Sequence, residues 1–203
     1  MTPGFGSAEI AFQDGCRLLR HDAESRETVE QYFEAAAHAD PEIAWLVARE
    51  WAAVADGRAA AWLRLAISTL PTRAGITVEP GTLPIVTEHG FAVHQVWRIT
   101  VAADDRNGAV AALESARPRL LRTTDSGQEL TATAFEATPA QSAHFYSPNN
   151  VTVHDKRASG PAIQLNCKDA ILPVMARTVI CIITDELARA GVTASLSTPP
   201  EPA

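Results

Sequence analysis

From Phe91 to Ala102 apolar and polar side chains trade places at nearly every step, and no other stretch narrows the fold as much. A strand turns successive side chains to opposite faces. Phe91, Val93, Trp97, Ile99 and Val101 therefore share one face, and Ala92, His94, Val96, Arg98, Thr100 and Ala102 the other. One apolar and one polar face is the pattern of an antiparallel sheet covered on a single side.

The sequence around this strand supplies partners for it. Ile76–Glu79, Leu83–Glu88 and Glu129–Thr138 read as further strands. Val151–His154 and Ala162–Cys167 read as a hairpin turning through Lys156–Pro161, and Val192–Ser197 as a last strand. Asp104-Asp105 opens a helix that carries Val110, Leu113, Ala116 and Leu120, with Pro118 expected to end or kink it early. Pro173 to Ala190 reads as a second helix, closed by Gly191, with a strand as the alternative for the β-branched run at 179–183.

Residues 23–71 have a different period. Val29, Tyr32, Phe33, Ala36 and Ala37 make one helical stripe, and Ile43, Leu46, Val47, Trp51 and Val54 a second after the Asp40-Pro41 start signal. Trp62, Leu63, Ala66, Ile67 and Leu70 make a third, stopped by Pro71. Residues 1–22, with Gly4, Gly6 and Gly15, read as an extended arm with a short strand near Ile10–Phe12. Residues 199–203 read as a disordered tail.

The expected fold is thus α+β. A three-helix segment over 23–71 precedes a mainly antiparallel sheet over 76–198 with helices on one face. From residue 91 the order β-α-β-(β-β)-α-β resembles the split βαβ, ferredoxin-like arrangement with one extra strand. The 203 residues suffice for such a core.

Charge and composition narrow the function classes. A formal charge of −7 works against nucleic acid and against anionic membranes. The apolar run Val179–Ile183 is far short of the ~20 residues that span a bilayer. The first residues carry no export signal, so the expected compartment is the cytoplasm. Cys16, Cys167 and Cys181 form no CxxC pair and read as reduced core thiols. His89 and His94 point to opposite faces, and no other pair has ligand spacing, so no metal is expected. Gly4-Phe5-Gly6 lacks the third glycine of a dinucleotide fingerprint, and no cofactor is implied.

One constellation remains. If Trp97, Ile99 and Val101 face the helices, then His94, Arg98, Thr152, His154, Gln164 and Asn166 share the opposite face, with Thr133 from the Glu129–Thr138 strand. Titratable imidazoles beside a fixed cation suit a small polar or anionic ligand, or a proton transfer. His94 and His154 are the expected catalytic pair, and Arg98, Thr133, Tyr146, Gln164 and Asn166 the ligand-binding set. Tyr146 belongs to a second candidate, the loops His144–Asn150 and His154–Arg157.

The first function class is a small-molecule-binding protein or metal-independent enzyme using this face. Ferredoxin-like sheets often pair, so a homodimer fits it. The alternative is a protein-interaction or regulatory module presenting an apolar surface built on Trp45, Trp51 and Trp62.

Overall fold

The computed structural model describes residues 5–21, 26–54, 56–70, 73–79, 82, 86–87, 90–91, 96–137, 143–156, 160–167, 171 and 173–198. The chain is mixed α+β and divides into two compact units, Met1–Thr69 with Val86–Gly90, and Leu70–Ile85 with Phe91–Ala203.

The first unit holds four helices, α1 (Phe5–His21), α2 (Arg26–Ala39), α3 (Ala44–Ala53) and α4 (Arg58–Ser68), with a 3-10 turn at Pro41–Ile43. The expected extended arm is therefore a helix. Its apolar period is present, since Ala8, Phe12, Cys16 and Leu19 recur on one face, and all but Phe12 are fully buried. Gly15 obscures that period for a packing reason. A Cβ there would lie 2.7 Å from Cε1 of Phe33, so glycine is what lets α1 close on α2.

Asp40 accepts from the backbone N–H of Glu42 and starts the 3-10 turn, as the Asp-Pro signal predicts. Phe33 is the centre of this unit. Its ring meets Trp51 edge-on at 5.7 Å and Phe12 at 5.8 Å, in the range where aromatic pairs attract. Trp45, Trp51 and Trp62 are at most 5% exposed, so the three indoles do not themselves lie on the surface of this segment. The indoles are the core that joins these helices. Of the residues placed inward by the sequence, Tyr32 and Leu46 are instead 38% exposed.

The second unit is built on a five-stranded mixed sheet. Its strands are β1 (Ile76–Val78), β4 (Val96–Ala103), β5 (Val151–Lys156), β6 (Gly160–Asn166) and β7 (Ala194–Ser197). Two two-residue strands, β2 (Val86–Thr87) and β3 (Gly90–Phe91), lie outside it. The sheet order is β1-β7-β4-β6-β5, parallel between β1 and β7 and antiparallel elsewhere.

Helix α5 (Arg106–Leu121) packs on β4, β5 and β6, and the last helix, α7 (Pro173–Arg189), packs on α5 and β1. The Asp105 side chain caps α5 by accepting from Gly108 N–H. Pro118 neither ends nor shortens α5, which runs on to Leu121 with Leu120 buried in its last turn. Trp97, Ile99, Val101, Val151, Ile163, Leu165 and Leu196 are each at most 3% exposed and form the sheet's side of the core. Trp97 also donates from Nε1 to the Thr82 carbonyl at 3.0 Å, and Thr82 Oγ1 donates to Leu196 O at 2.7 Å.

The expected strand over 129–138 is replaced by a helix, α6 (Ala132–Ala137). Thr131 caps it, accepting from Ala134 N–H at 3.2 Å through Oγ1. The Thr-Ala-Thr alternation reads as a strand, but three alanines and a threonine cap favour the helix.

Candidate functional site

The polar face is assembled by the register of three neighbouring strands. Arg98 pairs with Gln164, and Gln164 pairs in turn with Thr152. Directly opposed residues point the same way, with Cβ atoms about 4.5–5.5 Å apart. Arg98, Gln164 and Thr152 therefore stand in one row. The next row holds Thr100, Ala162 and His154, and the row on the other side holds Val96 and Asn166. Alternation along β4 separates this face from the core: Trp97, Ile99 and Val101 are buried, while Arg98 and Thr100 are half-buried.

Several members of the face hold one another. His154 Nε2 lies 3.1 Å from Thr152 Oγ1. Gln164 Nε2 donates to Asn166 Oδ1 at 3.4 Å, and Asn166 Nδ2 donates to the Asn149 carbonyl at 3.0 Å. Thr100 Oγ1 donates to Ser197 O at 2.9 Å. The amides and hydroxyls are thus positioned before any ligand arrives, which lowers the entropy lost on binding. Arg98 and His154 stand two strands and two residues apart, about 12 Å at 4.8 Å per strand and 3.3 Å per residue. That span fits the two ends of one small molecule rather than a direct contact.

The predicted residues divide as follows. Arg98, His154, Gln164 and Asn166 come together as the alternation requires. Thr133 does not, since it is exposed on α6 and belongs to no strand. Tyr146 is half-buried in the connection ahead of β5, not on the sheet. His94 and Arg157 lie outside the described residues. In the second candidate loop pair, Asp155 is paired with Arg106 at 2.5 Å.

Sequence reasoning missed one close pair. His144 Nδ1 lies 2.6 Å from Asp125 Oδ1, and the His144 backbone N–H donates to Thr123 O. The imidazole is buried and meets Phe145 edge-on at 4.8 Å. Because a carboxylate only accepts, the proton sits on Nδ1. Nε2 is then an acceptor, buried without a partner. Nothing in local spacing joins positions 19 apart. The one available signal was the Asp125-Ser126-Gly127 turn, where Gly127 takes φ +77°. A Cβ at Gly127 would lie 2.9 Å from the Val174 carbonyl.

An ion-pair network lies beside that turn. Arg119 grips Glu129 through Nε and Nη2 at 3.0–3.2 Å and reaches Glu186 through Nη1 at 2.8 Å, while Arg122 donates to Glu129 at 3.1 Å. Burial alone would raise the Glu129 carboxyl, but hydrogen bonds and charge from Arg119 and Arg122 outweigh it and hold the group below its ordinary range. The thiols are poorly placed for nucleophilic work. Burial pushes Cys16 up to about 11 and Cys167 up to about 12. Among the described residues no three or more His, Cys, Asp or Glu side chains converge as metal ligands, and no helix is long and apolar enough to cross a membrane.

The chain matches no family model, no curated protein and no solved structure. Its function is argued from its own geometry.

Proposed function

We propose that this chain is a small-molecule-binding protein, or a metal-independent enzyme, that takes a small polar or anionic ligand on the Arg98 face of its sheet. The register is the observation that carries this reading. It sets a guanidinium, two amides, two hydroxyls and an imidazole on one face, all half-buried. Arg98 holds the anionic group through a two-pronged, charge-assisted bond. Gln164, Asn166 and Thr152 orient the polar body of the ligand, and the His154 imidazole closes the far end.

The same reading takes the sheet as a split βαβ unit. The order β7-β4-β6-β5 supports this: counted from β4 it runs fourth, first, third, second with every neighbouring pair antiparallel, as in that motif, and β1 is added at the edge. A net charge of −7 supports a small ligand over a nucleic acid, and a cytoplasmic location is part of the proposal.

A thermal-shift screen of the full chain against small carboxylates, phosphates and sulfonates tests it. A ligand at about a hundredfold excess over Kd stabilises the native state by about 2.7 kcal/mol, which a melting curve resolves. Arg98→Ala removes the shift while circular dichroism stays unchanged, and Thr133→Ala, on the exposed helix, leaves it intact. The proposal fails if no member of the set raises the melting temperature, or if Arg98→Ala keeps the full shift.

A further inference from the structure

We propose that the first unit carries a self-complementary strip, through which two copies of the chain associate about a twofold axis. Two adjoining depressions run along α1, of about 430 Å³ and about 330 Å³, and both are bordered by Phe12 and Gln13. The first is acidic. Glu9, Asp40 and Glu42 line it, and its lining contains no arginine or lysine. The second is basic among the described residues, bordered by Arg17, Arg20 and Arg49 with Glu50 as the one carboxylate.

The sequence of charges is the same along both walls. On α1 it runs from Glu9 through Phe12 to Arg17 and Arg20. On the other wall it runs from Glu42 through Leu46 to Arg49. Local partners leave this polarity in place. Arg20 and Arg49 share the single carboxylate of Glu50, at 3.3 and 2.9 Å, so two cations meet one anion. Arg17 pairs with Asp14 at 3.0 Å on an open surface and remains 68% exposed. Glu9 accepts from the neutral Gln13 amide at 3.2 Å.

A strip that is acidic at one end, apolar in the middle and basic at the other is its own complement when turned through a half rotation. The axis passes near Phe12 and Leu46. Acidic end then lies on basic end twice, and Leu46, 38% exposed, is covered at the centre. A foreign segment would need the inverse polarity, whereas a second copy has it by construction. That selects the occupant.

The strip's dimensions set the strength. From position 8 to position 21 a helix rises about 20 Å, and two helices abreast are about 20 Å wide. The area is about 400 Å² per copy, half of a standard interface, so the dimer is weak. Surface charge carries much of the contact, and about 1 M salt reverses it.

Sedimentation of the full chain from about 5 to about 500 µM measures this. The mass rises from 21.7 kDa toward twice that value at low salt and returns at high salt. Glu9→Arg and Arg17→Glu each weaken self-association about tenfold or more, since each reversal acts at two places in the dimer. An equimolar mixture of the two variants recovers wild-type affinity, because position 9 of each copy again faces an opposite charge at position 17 of the other. Melting curves of both variants check that the fold is intact. A monomer throughout the range, a dimer indifferent to both reversals, a mixture no tighter than its components, or growth beyond two copies each overturns the proposal.

Discussion

His144 and Asp125 meet at 2.6 Å with their two ends in opposite surroundings, the imidazole 2% exposed and the carboxylate 72% exposed. The contact therefore satisfies a buried donor by means of a group that gives up little hydration. Removing the acceptor leaves Nδ1–H orphaned beside an Nε2 that already has no partner. Asp125→Ala is expected to destabilise the chain by about 1–3 kcal/mol. Asp125→Asn keeps a carbonyl acceptor and should lose less than half of that. Urea melts of the two variants make the comparison.

Two glutamates give stability opposite dependences on pH. Burial raises the carboxyl of Glu30 above its ordinary range, although the Trp62 indole donates to it at 2.8 Å and Arg58 lies near. A raised acid contributes most below its unfolded pKa, and the contribution is lost as pH rises through the folded value. Glu30→Gln should therefore gain on wild type in melting temperature between about pH 4 and about pH 8. Glu129 is held low, so its contribution is present above the ordinary glutamate range and is lost as pH falls through the folded value. Glu129→Gln should melt well below wild type at neutral pH, and the gap should close in acid. Parallel pH profiles for the two variants would contradict both assignments.

Trp97 ties β4 to the core and, through Nε1, to the backbone at Thr82. Trp97→Ala leaves a large cavity, while the Thr82 carbonyl keeps the Thr198 hydroxyl as donor at 2.9 Å, and the expected loss is about 3–5 kcal/mol. Trp97→Phe keeps most of the volume and should lose clearly less. A Trp97→Ala variant that melts within a degree or two of wild type would refute the placement of this side chain.

The parts that were legible in the sequence are those where one period dominates. The alternation of β4 and of the 151–166 hairpin placed Arg98, His154, Gln164 and Asn166 on a shared face, and the register agrees. The 3.6-residue stripes gave α2, α5 and α7 to within a few residues. Where a residue type has two physical meanings, the reading failed. Gly15 signals a break in a local reading, but in α1 it is the room that Phe33 requires. Thr131 and Thr133 alternate like a strand, yet Thr131 is a helix cap. Trp51 and Trp62 are buried, as their helical stripes placed them, whereas Tyr32 and Leu46, placed inward by the same period, are 38% exposed. The His144–Asp125 pair depends on tertiary closure over 19 positions, which no local pattern encodes.

The order of the sheet also bears on how copies of this chain avoid sticking together in the wrong way. Its outermost strands are β1, with three residues, and β5. The first carbonyl of β5, at Val151, already accepts from Arg117 Nε at 2.8 Å, and Arg117 Nη2 donates to Pro148 O just ahead of it. The strand's far end carries exposed Asp155 and Lys156. Short length, an occupied carbonyl and terminal charges make both margins poor templates for an incoming strand. Contact between copies is thereby steered away from backbone pairing, which does not discriminate among sequences, and toward side-chain surfaces, which do.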